Sequence, residues 1–259
     1  MYYYILAEKL TAAEQTRLNG LKTLLANLGI AGEFNQISPL RRAKDQIELA
    51  LARKFNSIIA VGDDGHLNQV AGLVGLAQAG SFGAIPLGHN PRYEQFFGKT
   101  TIPDACQLLL KRPIKQIDWL ELNSEAGCYD TVEMRTVNPV EFCLSYTDSL
   151  LADQDWQITG QLSRARIEVN ARVTIYPPQT GARGWRLPWQ RQSTAGDGRH
   201  EQTTVSQVTV DRCQLMTDPA LATWHLDTQL TTLPLTLKFH PLGLKIIASH
   251  DITGPRPNI

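Results

Sequence analysis

The residues best suited to chemistry crowd into Gly62-Asp63-Asp64-Gly65-His66-Leu67-Asn68, directly behind the apolar run Ser57-Ile58-Ile59-Ala60-Val61. An apolar run, a Gly/Asp turn and an amphipathic continuation read as strand, turn and helix start. Such a turn can aim backbone N–H groups at an anion seated on the helix N-terminus, so a phosphate is the group it suits. Neither G-x-x-x-x-G-K-[ST] nor G-x-G-x-x-G occurs there, and an ordinary strand-to-helix turn is an equal reading. A second chemical segment is Gly184-Trp185-Arg186-Leu187-Pro188-Trp189-Gln190-Arg191. Alternating Trp and Arg suits the boundary between anionic head groups and acyl chains. The alternative is a hairpin loop whose tryptophans fold back on the core. Ser145 and Ser163 lie in no G-x-S-x-G, which leaves a hydrolase triad without support. His200, His225, His240 and His250 are dispersed, and Cys106, Cys128, Cys143 and Cys213 form no CxxC pair, so neither a zinc ribbon nor a redox dithiol is indicated.

The elements that would position the first loop have a clear rhythm. Tyr2 to Ala7 reads as a strand; Thr11-Ala12-Ala13-Glu14 is a capping box opening a helix with Leu18, Leu21, Leu25 and Leu28, stopped by Gly29. A strand near Phe34 follows, then a helix entered at Ser38-Pro39 and running to about Lys54. The strand at Ser57, a helix over Leu67 to Ala79 and a strand at Gly83 to Pro86 complete a β-α-β-α-β-α-β series. That order predicts a mostly parallel sheet covered by helices, with ligands beyond the carboxyl ends of its strands. Past Arg112-Pro113 the pattern changes to short alternating strands: Ile117 to Leu122, Thr131 to Val137, Val140 to Ser145, Trp156 to Leu162, Ile167 to Tyr176, Val205 to Val210, Leu235 to Phe239 and Leu244 to Ala248. The expectation is an α/β domain over 1–113 and a β-sandwich over 114–259.

With 259 residues, 42% hydrophobic and 19% charged, the chain can bury a core and is not a disordered polymer. Lys+Arg and Asp+Glu are both 25, so nothing global favours a nucleic acid. The opening MYYYILAEKL lacks a basic n-region, and no stretch is long and apolar enough to span a membrane. A cytoplasmic protein is the expectation, peripheral at a membrane if the Trp/Arg segment faces lipid, with homo-oligomerisation left open.

Gly62 to Val70, GDDGHLNQV, resembles the GGDGTLNEV motif of the diacylglycerol kinase catalytic domain, shared by sphingosine kinases and bacterial lipid kinases and related in fold to NAD kinases and phosphofructokinases. Ala84-Ile85-Pro86-Leu87-Gly88-His89-Asn90, then Tyr93 to Gly98, is similar to that family's second loop, iPlGTGND, and its continuation. Ile117-Asp118-Trp119 resembles the "vDl" strand, and Trp224-His225-Leu226-Asp227-Thr228-Gln229 with Leu233-Pro234 and Phe239 to Ile247 resembles the "vDGE" ending. The resemblance implies a nucleotide-binding α/β domain, a C-terminal β-sandwich on the acceptor side, and ATP- and Mg2+-dependent phosphoryl transfer to a lipid hydroxyl. Gly62, Asp63, Asp64, Gly65, His66, Asn68, Gly88, His89 and Asn90 would then be the nucleotide-side residues, and Asp227 the remaining acid near the acceptor.

The departures from the family are as informative. Asp63 stands where the pattern has its second glycine, His66 and His89 where it has threonines, and Gln229 where it has the carboxylate that serves as general base. An amide cannot take the acceptor's proton. The NPxSG signature is absent, with Ala7-Glu8-Lys9-Leu10 in its place. A lipid kinase of weak or lost activity is the leading expectation, and a non-catalytic module binding a nucleotide, a lipid or a protein partner is the alternative. If the two loops adjoin, as the resemblance suggests, Asp63, Asp64, His66 and His89 also make a zinc-type ligand set.

Overall fold

The computed structural model describes residues 1–78, 80–88, 90–98, 100–129 and 235–249, together with strand segments 131–148, 154–168, 172–176, 190–193, 201–202, 207–209, 212–217 and 225–226. The chain divides into two compact units. One comprises Met1–Trp119, Glu125–Asp130 and His240–Ile259; the other comprises Leu120–Ser124 and Thr131–Phe239.

The first unit is an α/β domain. Its strands β1 (Tyr2–Leu6), β2 (Gly32–Gln36), β3 (Ser57–Gly62) and β4 (Ser81–Pro86) pair in parallel in the order β2-β1-β3-β4. The end of β15 (Leu235–Ile247) joins β4 in parallel through Ile246 and Phe82. Every residue of β1 and β3 is buried, as a strand covered by helices on both faces must be. Alternation along β1 divides the core: Tyr3 and Ile5 pack into one cluster, and Tyr2, Tyr4 and Leu6 into the other. The first cluster takes α2 (Ala43–Ala52) and α3 (Asp64–Ala77) through Ile47, Ala50, Leu67, Val70 and Val74. The second takes α1 (Ala12–Asn27) and α5 (Ile102–Lys111) through Leu18, Leu21, Leu25, Cys106 and Leu109.

Helix α1 starts at the capping box expected for it: the Thr11 Oγ accepts from Glu14 N at 3.2 Å, and Thr11 N donates to the Glu14 carboxylate at 2.8 Å. Helix α2 does not start at Ser38-Pro39. Ser38 pairs with Arg41 in a tight turn, and the helix opens at Ala43 because the Asp45 carboxylate accepts from Arg42 N at 2.9 Å. Two helices outside the sequence reading follow β4: α4 (Pro91–Phe97) and α5, the latter opened by a Thr101-Ile102-Pro103-Asp104 box. Strands β5 (Ile114–Leu122) and β6 (Ala126–Cys128) come next.

The second unit is strand-rich. Its β7 (Thr131–Asp148) pairs with β8 (Gln154–Glu168), β13 (Arg212–Thr217) and β14 (His225–Leu226). In turn β8 pairs with β9 (Arg172–Tyr176) and β10 (Gln190–Ser193), β10 with β11 (Glu201–Gln202), and β9 with β12 (Gln207–Thr209); all of these pairings are antiparallel. The first part of β15 pairs with β13. Where the sequence suggests two strands, at 131–137 and 140–145, there is one, β7, with a register shift between Arg135 and Val140. Pro139 lies inside that shift, where its missing N–H costs the ladder nothing.

Candidate functional site

Three strand ends meet at one edge of the parallel sheet. Ala7 N donates to Val61 O at 3.1 Å, and Leu87 N donates to Gly62 O at 3.0 Å, so the turns leaving β1, β3 and β4 are stitched side by side. The order β2-β1-β3-β4 sends α1 and α3 to opposite faces, making the β1/β3 boundary the switch point where an open α/β sheet receives its ligands. Gly62 is closely packed here: a Cβ would stand 3.0 Å from both the Ala7 Cβ and the His66 ring, so one of them would have to give way.

Helix α3 begins three residues earlier than its apolar pattern suggests, because Asp63 is its N-cap. The Asp63 Oδ1 accepts from His66 N at 2.9 Å. That N–H is one of the orphan donors that an anion at a helix N-terminus would use. Asp64 faces the other way, its Oδ1 accepting from Tyr93 N at 2.9 Å and so fastening α4 to α3. Asn68 is buried and its Oδ1 accepts from Tyr129 N at 3.0 Å, which fixes α3 to the strand at Gly127. Gly65 is open: a Cβ would meet nothing nearer than the Asp63 carboxylate, at 3.7 Å.

The second turn is held from α1. Arg17 donates to the Leu87 carbonyl, and a Cβ on Gly88 would stand 3.0 Å from the Glu14 Oε1. Hydrogen bonds from Thr11 hold the Glu14 carboxyl below the usual range. The Asn90 side chain is fully buried, and neither its Oδ1 nor its Nδ2 has a partner.

His66 is buried, and its Nε2 lies 2.9 Å from the Ile5 carbonyl. A carbonyl only accepts, so Nε2 carries the hydrogen and Nδ1 is a bare lone pair, buried without a partner. Burial pushes the imidazole pKa down, against smaller upward pulls from the Ile5 bond and from Asp63. Of the zinc-type set, Asp63, Asp64 and His66 each commit one atom to the backbone. Among the described residues no group of three or more His, Cys, Asp or Glu side chains could hold a metal.

Gly62, Asp63, Asp64, Gly65, His66 and Asn68 thus sit on the first turn, with Gly88 and Asn90 on the second. His89, Trp185, Arg186, Trp189, Asp227 and Gln229 lie outside the described residues, as does the side chain of Arg191. Glu14 and Arg17 are the site residues that sequence reasoning misses. Glu14 has a local role in the capping box and Arg17 lies one turn on, and neither carries a sign of the Gly88 turn, 71 residues from Arg17. A cavity of about 220 Å³ lies at the opposite end of α3, lined by Gln78, Trp119, His240 and Lys245 among others.

Residues 10–122 match the model of the diacylglycerol kinase catalytic domain. The match spans 113 of the chain's 259 residues. The chain also superposes on a diacylglycerol kinase from Bacillus anthracis str. Sterne with a TM-score of 0.68 at 13% identity, over 96% of this chain and 97% of that one. An NAD kinase from Archaeoglobus fulgidus, solved in complex with ATP, gives 0.50 at 8% identity over 96% and 94%. A yeast NADH kinase complexed with NADH gives 0.52 at 10% identity over 96% and 83%. At these identities the likeness is one of fold, an N-terminal α/β domain with a mostly parallel sheet. No curated protein matches the chain. In family terms, the match contains both turns described above, and Asp63 is the N-cap at the position where the diacylglycerol kinase pattern has glycine.

Proposed function

We propose that this protein takes a nucleotide at the turns after β3 and β4, and that its phosphoryl transfer from ATP to a lipid hydroxyl is weak or lost. The observation that carries the reading is the Asp63 carboxylate seated on the His66 N–H. A carboxylate there fills a donor and sets a negative charge against an incoming triphosphate. Repulsion of one charge pair at about 4 Å is about 1 kcal/mol in water and about 4 kcal/mol near a protein surface. That corresponds to roughly a five- to thousand-fold loss of affinity.

The test is calorimetry with MgATP on the parent and on Asp63→Gly. Glycine is a tolerated N-cap, costing only a few tenths of a kcal/mol, so the variant should stay folded. The expected result is weak or undetectable binding by the parent and clear binding by the variant. Equal affinities would remove Asp63 from the account, and silence from both would remove the nucleotide.

Magnesium fits this reading as an ion held mostly by the nucleotide's own phosphates, with one or two carboxylates. Asp64 supplies one next to the first turn, with its Oδ1 already accepting from Tyr93 N. When bound, the ion would neutralise phosphate charge. A β-sandwich on the acceptor side, contact with an anionic membrane through Trp185, Arg186, Trp189 and Arg191, and a cytoplasmic location belong to the same reading. Among the described residues no helix is long and apolar enough to cross a membrane. Gln229 favours a second reading, a regulatory module that binds without catalysis, since a protein that makes no phosphate ester needs no carboxylate there.

A further inference from the structure

We infer that Arg17 is the cation that takes a polyphosphate at the second turn, in compensation for the seat that Asp63 fills at the first. The inference rests on the nucleotide reading above and goes beyond it by assigning the charge that would hold the ligand. Arg17 stands on the second turn of α1, and its guanidinium donates to the Leu87 carbonyl, one residue before Gly88. A guanidinium has five N–H donors in a rigid fork, and this bond engages one nitrogen. The ion pairs among the described residues are Arg42–Asp45 and Arg53–Glu33, so Arg17 is in no direct ion pair there and its charge is offset only through space, by Glu14. The other motif residues described on the two turns supply no cation: Asp63 and Asp64 are acids, Asn68 and Asn90 are amides, and His66 is buried with its pKa lowered. A polyphosphate approaching Gly88 therefore meets Arg17 as a local positive charge.

Glu14 sets the limit on that charge. Three residues before Arg17 on the same helix, its carboxylate lies against Gly88, and Arg17 lowers its pKa along with the stronger Thr11 hydrogen bonds. The second turn thus presents a cation and an anion side by side, and affinity for a polyphosphate depends on the balance between them. Removing the carboxylate's charge should strengthen binding, and removing the guanidinium should weaken it.

The experiment is calorimetry of the full chain with MgATP and, separately, with inorganic tripolyphosphate, in the Asp63→Gly background. Arg17→Gln is expected to weaken both ligands by about tenfold, the loss of one charge-assisted contact. Arg17→Lys should recover part of that loss, since it keeps the charge and loses the fork. Glu14→Gln retains a capping-box residue and should tighten both ligands. A purely structural Arg17 would lower the melting temperature of the ligand-free chain and leave both affinities unmoved, and Arg17→Gln binding as tightly as its background overturns the inference alone. No polyphosphate binding by either the parent or Asp63→Gly overturns the nucleotide reading, and this inference with it.

Discussion

His66 stands where the family's motif has threonine, and the difference is one of size and charge together. A threonine hydroxyl would be a small neutral donor, whereas the imidazole reaches back to the Ile5 carbonyl and closes the space beside Gly62. Because its folded pKa is lowered by burial, its contribution to stability is present above the ordinary value of 6.5 and is lost as pH falls through the folded value. The parent should therefore lose melting temperature on acidification below about pH 6.5, ahead of the carboxylates, which titrate nearer pH 4. His66→Gln, which can still offer an N–H, should flatten that slope; an unchanged slope would mean that other groups carry it. The sequence shows that positions 63 and 66 depart from the motif, but not their consequence, because an Asp N-cap and a back-bonded histidine depend on where β1 ends.

At the scale of the elements, α3 ties the first unit together, and its glycines explain how closely it packs. A Cβ on Gly72 would stand 2.0 Å from the Gly127 carbonyl, and one on Gly75 would stand 2.9 Å from the Trp119 indole. Backbone cannot move aside as a side-chain tip can, so Gly72→Ala should destabilise by about 1–3 kcal/mol or more through forced separation of α3 from β6. Asn68→Ala leaves the buried Tyr129 N–H without its partner, at about 1–3 kcal/mol. Urea unfolding measures both, and an Asn68 variant of parental stability that loses nucleotide binding would return Asn68 to the ligand. The α/β order was legible because four short strands and three helices with an apolar face repeat in series. The entry to α2 was not, since Ser38-Pro39 has the form of a helix start while the true N-cap, Arg42, has no side-chain cap and is held only by the Asp45 carboxylate on its N–H. Helix α5 carried its signal openly in Thr101-Ile102-Pro103-Asp104, just before the apolar run that supplies Cys106 and Leu109.

For the whole molecule, binding and transfer require different repairs. The turns proposed for the nucleotide lie in the first unit, while the family pattern's general base falls at position 229, where this chain has Gln. Asp63→Gly can at most restore a seat for the triphosphate; position 229 still holds an amide, which cannot take the acceptor's proton. Asp63→Gly is therefore expected to bind MgATP without transferring phosphate, and Asp63→Gly/Gln229→Glu to do both. The measurement is incorporation of label from γ-labelled ATP into anionic vesicles containing diacylglycerol, with co-sedimentation of the protein recorded in parallel. General-base catalysis contributes about 10²–10⁴-fold, so the double variant should exceed the single one by a margin of that order. Trp185→Ala/Trp189→Ala in the double variant should release the protein from the vesicles and lower transfer with it; unchanged co-sedimentation would place the membrane contact elsewhere. Transfer by the parent itself at the level of the double variant would show that neither Asp63 nor Gln229 restrains the chemistry, leaving an active lipid kinase that uses another base.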